Sequence, residues 1–204
     1  MVDIEVSVIT DEFSPEFDEV IEHIQTNLEH VNYIALRNVW IGSILEVDDI
    51  TIRDAHQIVK DSGLKVSSIS GGLLKCLPPS LSSEPLTKFD ISKNYQYNYS
   101  LIARALEMAE LFDAKYIRCF GYNGFNPVPV EDWDNYQIYK DWTTILNKMK
   151  EKCISKGKIL ICENEGGLNQ GLDHMERIGK DNCGPGFGLL YDTANVFNKF
   201  GNLG

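Results

Sequence analysis

Six short apolar runs alternate along the chain with five amphipathic segments of helical spacing, and this rhythm constrains the fold more than any other feature. The first run, Ile4 to Thr10, ends at Asp11-Glu12. Ser14-Pro15 then marks a helix start, and Phe17, Val20, Ile21, Ile24 and Leu28 recur at helical intervals. A second strand is predicted at Tyr33 to Arg37, with a helix from about Asp48 to Ser62 stopped by Gly63. The third strand, Lys65 to Ser70, is predicted to end at Gly71-Gly72. A fourth spans Lys115 to Phe120, a fifth Lys158 to Cys162 and a sixth Gly188 to Tyr191, each preceded by a helical segment. Strands alternating with helices imply parallel β-α-β units. Runs that are apolar nearly throughout fit strands covered on both faces. A barrel and an open doubly wound sheet both satisfy the pattern.

Two stretches interrupt it. Leu74 to Tyr97 contains Pro78-Pro79 and a serine cluster, and Gly121 to Asp134 is rich in Gly, Asn and Pro. Both read as long loops following strands, the side on which a barrel builds its active-site rim.

Composition narrows the function. The 204 residues carry 19 basic and 30 acidic side chains, for a formal charge of −11, without a basic patch. A nucleic-acid partner is therefore not expected. No run of about 18 apolar residues suggests a membrane span, and the N-terminal residues show no signal-peptide pattern, so a cytoplasmic protein is expected. The five cysteines lack CxxC spacing, and Cys119 and Cys162 fall inside apolar strands, where buried thiols are the ordinary outcome. No glycine-rich phosphate loop follows the first strand, which argues against a nucleotide cofactor.

Two carboxylates stand at strand ends: Glu163 after Ile159 to Cys162, and Asp192 after Gly188 to Tyr191. Burying such a group is costly unless a cation or a hydrogen-bond network answers it. Hard divalent cations select carboxylate oxygens. Capping of the following loop is the plainer alternative.

The motifs Val6 to Glu12, Ala35 to Trp40, Val66 to Gly72 and Ala114 to Arg118 resemble the xylose isomerase-like TIM barrel superfamily. So do Ile161-Cys162-Glu163-Asn164-Glu165-Gly166 and Leu189 to Asn195. The likeness is to the sugar phosphate isomerase/epimerase branch. It implies a (β/α)₈ barrel in one domain, residues 1–204, of which about six β-α units are present and the last two are expected to be missing. It implies Glu163 and Asp192 as ligands of a divalent metal (Mn, Mg, Zn or Co), with Glu163 also catalytic. The implied chemistry is carbohydrate metabolism: isomerisation or epimerisation of a small sugar or polyol by proton transfer through an enediolate. The alternatives are a lyase of the inosose or dehydroshikimate dehydratase type, or a catalytically incompetent small-molecule binder. A homo-oligomer is compatible with this reading.

Departures from the family pattern fall at Asn195, often histidine, at Ala35, often glutamate, and at Glu165, often histidine. Arg37, Trp40, Arg118, Glu165 and Asn195 are the substrate-binding candidates. Arg37 and Arg118 offer fork donors at strand ends, although ion pairs within the mouth would use them equally well. Trp40, Tyr122 and Phe125 sit in predicted loops and could stack on a sugar ring. His23, His30, His56 and His174 fall in helical segments and are not expected to ligate.

Overall fold

The strands form within the apolar runs of the sequence. A computed structural model describes residues 5–81 and 95–195. The expected strand start at Ile4, Ser82 and Ser83 of the first long loop and the closing residues 200–204 lie outside the described residues. The fold is α/β, with six parallel strands in the order β1-β2-β5-β6-β7-β8. These are β1 (Ser7–Ile9), β2 (Tyr33–Leu36), β5 (Lys65–Leu73), β6 (Tyr116–Cys119), β7 (Ile159–Glu163) and β8 (Phe187–Leu190). Between β2 and α2 lies a small hairpin, β3 (Asn38–Val39) and β4 (Gly42–Ser43). The helices are α1 (Phe17–Asn27), α2 (Asp49–Ser62), α3 (Tyr95–Leu111), α4 (Gln137–Ser155) and α5 (Leu172–Asn182). Among the described residues, no helix is long and apolar enough to cross a membrane.

The chain divides into two compact units, Met1–Gly71 with Ala103–Ile117, and Gly72–Ile102 with Arg118–Gly204. In the first, β1 pairs with β2 from Ser7↔Tyr33 to Ile9↔Ala35, and β2 pairs with β5 through a register shift at Ile34/Ala35. Helix α1 buries Phe17, Val20, Ile21 and Ile24, the one-sided spacing read in the sequence. Asp48 caps α2 by accepting from the Ile50 and Thr51 N–H groups at 2.9 and 2.8 Å, and Gly63 ends it at φ +73°.

One boundary and one element differ from expectation. Strand β5 does not stop at Ser70; it runs through both glycines to Leu73. At Gly71 a β-carbon would fall on the Leu45 side chain, so the glycine is required by close packing and not by a turn. The hairpin after β2 is an element the periodicity did not announce. Its two-residue turn holds Trp40 at φ +51° and lacks the Asn-Gly type of signal on which such a reading depends.

In the second unit, α4 buries Ile138, Tyr139, Trp142, Ile145, Leu146, Met149 and Cys153. Trp142 donates its indole N–H to the Phe120 carbonyl at 3.0 Å, fixing the helix beneath the end of β6. Strands β7 and β8 pair in parallel from Leu160↔Phe187 to Glu163↔Leu190. Cys119 and Cys162 are fully buried in their strands, as expected of apolar-run thiols. The loop from Gly121 contains a 3-10 turn, Val130–Asn135, whose Trp133 is buried.

Candidate active site at the strand ends

The register of β7 and β8 places Glu163 beside Leu190, two residues before Asp192. Glu163 is 5% exposed, and its burial is answered by Arg118 at the end of β6, itself 7% exposed. Arg118 Nη1 donates to Glu163 Oε2 at 2.7 Å. The other oxygen, Oε1, faces the Asn195 amide nitrogen at 3.4 Å. Burial pushes the Glu163 pKa up; the Arg118 guanidinium pulls it back, and the neighbouring negative charges of Glu165 and Asp192 add to the rise.

Asn164 joins the two strand ends. Its side chain donates to the Asp192 carbonyl at 2.9 Å and accepts from the Asp192 N–H at 2.5 Å. The Asp192 carboxylate in turn accepts from the Ala194 N–H at 2.8 Å. Glu165 is bound through both oxygens by Lys75, with Nζ at 2.7 and 2.9 Å. Lys75 and Arg118 both lie over the Phe120 ring, with the Nζ and Cζ atoms 5.0 and 5.1 Å from its centroid.

Arg118, Glu163, Glu165, Asp192 and Asn195 are therefore linked in one network of the second unit. Arg37 and Trp40 belong to the first unit. Arg37 Nε reaches both Asp11 oxygens at 2.9 Å, and its Nη2 lies 2.6 Å from Glu12 Oε1. Burial would lower the Arg37 pKa, but these two carboxylates hold it above its ordinary value. The Trp40 ring packs on Phe17 at 5.4 Å and donates to Asp18. Tyr122 is fully buried, and His174 packs against Trp133 at 5.1 Å.

Two members of the network were not singled out from the sequence. Lys75 lies where a loop was expected, and only its position just beyond the Gly-Gly strand end could have drawn attention to it. Asn164 follows Glu163 directly, so the Glu-Asn dipeptide was its signal; its partner across the strand ends was not legible.

The donor chemistry of Glu163 and Asp192 suits a hard divalent cation, and the clustered negative charge would be relieved by one. Their number falls short of a full shell: among the described residues, no group of three or more His, Cys, Asp or Glu side chains is placed to hold a metal.

No protein-family model matches the sequence, and no curated protein matches it. Solved structures do match over nearly the whole chain. The probable 3-DHS dehydratase AsbF from Bacillus anthracis superposes with a TM-score of 0.64 at 16% identity, covering 96% of this chain and 65% of its own. The 3-keto-D-glucoside 4-epimerase YcjR from E. coli gives 0.63 at 15%, covering 98% and 73%. A xylose isomerase-like TIM barrel protein from Mycobacterium smegmatis, in complex with magnesium, gives 0.58 at 15%, covering 88% and 58%. The fold is that of the xylose isomerase-like TIM barrel proteins. The chain spans about two-thirds of the length of AsbF and less of the M. smegmatis protein.

Proposed function

We propose that this chain carries the strand-end site of a sugar isomerase or epimerase, in which Glu163 moves a proton on the carbon next to a substrate carbonyl. The observation that carries the reading is geometric: the Glu163 carboxylate is buried at the carboxyl end of β7, with Arg118 on Oε2 at 2.7 Å and the Asn195 amide near Oε1 at 3.4 Å. A carboxylate fixed in orientation at a strand end can act as a general base without first ordering itself. Oε2 is held by Arg118, which fixes the plane of the group. Oε1 is the oxygen left to accept and return the proton, and the Asn195 amide beside it can donate to a neighbouring substrate oxygen. Asn164 holds the Asp192 backbone, and the Ala194 N–H holds the Asp192 carboxylate.

Glu163 and Asp192 would hold a divalent cation through their carboxylate oxygens. Such an ion, when bound, draws electron density from a carbonyl and makes the adjacent proton more acidic. The magnesium complex of the structurally similar M. smegmatis protein supports this choice of ion chemistry.

The test is exchange of the carbon-bound proton next to the carbonyl in heavy water, followed by proton NMR on a panel of uncharged and phosphorylated keto sugars. The reading requires exchange by the native protein and a loss of about 10²- to 10⁴-fold in Glu163→Gln. Loss of water from the substrate would transfer the site to a lyase. Absence of exchange across the panel would remove the isomerase reading.

A further inference from the structure

Lys75 reaches the network from the loop that follows β5, and its backbone is held for the purpose. Leu74 before it takes φ +61°, a left-handed conformation uncommon for leucine. The Lys75 N–H closes a turn on the Gly72 carbonyl at 3.0 Å. On either side, Phe120 N–H donates to the Leu73 carbonyl at 3.0 Å and Asn123 N–H to the Cys76 carbonyl at 2.8 Å. A left-handed residue fastened by hydrogen bonds on both flanks is strain kept in place by its surroundings, the pattern found where a side chain must be aimed.

The aim is at Glu165. Both of its oxygens lie within 2.9 Å of Lys75 Nζ, and the Phe120 ring beneath carries Arg118 as well. Lys75, Arg118, Glu163, Glu165 and Asp192 together make two cations against three carboxylates.

The two ion pairs differ in access. Arg118 and Glu163 side chains are 8% and 6% exposed, whereas Lys75 and Glu165 are 42% and 33% exposed. A half-solvated pair is cheap to part. A substrate hydroxyl can enter it, accepting from the ammonium and donating to the carboxylate. A phosphate monoester would bring about −1.5 to −2 charges toward the three carboxylates, and the cations it needs are already neutralised. Like charge placed against the wrong ligand is the usual means of rejecting it.

We propose that Lys75 and Glu165 form a specificity-determining pair that seats an uncharged, hydroxyl-bearing end of the substrate and turns away its phosphorylated counterpart. The inference rests on the sugar-site reading above and deepens it. Glu165 gives Lys75 a carboxylate to hold, 2.7 Å from its ammonium.

The experiment measures dissociation constants of D-fructose and D-fructose 6-phosphate by NMR titration, for the full chain and its variants. The native protein is expected to bind the uncharged ketose more tightly. Glu165→Gln releases Lys75 and should shrink that preference by about tenfold, the size of one charge-assisted hydrogen bond, through tighter phosphate binding. Lys75→Gln should weaken ketose binding by about the same factor without helping the phosphate. Lys75→Arg keeps the charge and retains the preference, which leaves a readout if the glutamine variant does not fold. Tighter native binding of the phosphate, an unchanged preference in Glu165→Gln, or no native binding of either compound would overturn the proposal. Heavy-water exchange separates the two readings. Exchange with an unchanged preference sinks only the specificity pair. A shifted preference without exchange sinks only the isomerase.

Discussion

Arg118 Nη1 lies 2.7 Å from Glu163 Oε2, and neither side chain is more than a tenth exposed. In such a pair the attraction is offset by lost hydration, so the pair contributes little net stability, yet removing one partner strands a charge. Arg118→Met is expected to cost about 3–5 kcal/mol in urea unfolding. Adding Glu163→Gln to it should recover most of that loss, because the amide needs no counter-charge. A double variant as unstable as the single one would show that the guanidinium stabilises by packing instead.

Asn164 is predicted to act on stability through the neighbouring strand end. Its side chain makes two hydrogen bonds to the Asp192 backbone, one in each direction. Asn164→Ala should cost about 1–2 kcal/mol, since a part-buried backbone donor and acceptor lose their partner together. Hydrogen exchange should report the loss locally, with faster exchange of the Asp192 amide than in the native protein. Unchanged protection there would mean that the amide has another acceptor.

Much of this was legible in the sequence, and the limits have physical causes. The order of strands and helices followed from periodicity because the sheet strands fall within short apolar runs, and the helices between them are amphipathic. Glu163 stood out because a carboxylate closing an apolar strand needs a reason. Its partner did not: which cation answers it depends on which strands are neighbours in space, and Arg118 is 45 residues away. Lys75 escaped for a related reason. Glycines suggested a strand end at Gly71, whereas close packing on Leu45 is what the glycine serves. The hairpin at Asn38–Ser43 was missed because its turn accepts a tryptophan at positive φ.

Gly167, three residues beyond Asn164, is expected to tolerate no side chain. Its φ is +53°, and a β-carbon would fall on the carbonyl oxygens of Tyr122 and Gly121, which are backbone atoms that cannot rotate away. The Leu168 N–H also bonds the Gly121 carbonyl at 2.8 Å, holding the two segments together. Gly167→Ala should therefore cost about 2–4 kcal/mol, combining left-handed strain with overpacking. Thermal melting checks it, and a loss below that of an ordinary surface alanine would show that the loop can shift.

The pH dependence of stability has a defined sign at Asp181 on α5. Burial raises its pKa, but the Arg177 Nε and Tyr139 hydroxyl donors, both at 2.7 Å from Oδ2, more than offset this and hold the carboxyl below its ordinary value. The folded state then binds the proton less readily than the unfolded chain does. Its stabilising contribution is complete above the usual aspartate pKa of about 4 and is lost as pH falls through the lower folded value. Because Arg177 and Asp181 are about a third exposed, the contribution is on the order of 0.5–1 kcal/mol. The stability gap between the native protein and Asp181→Asn should be flat from neutral pH to about pH 5 and close below about pH 4. A gap that widens on acidification would mean that the carboxyl is held above its ordinary pKa and that burial outweighs its two donors.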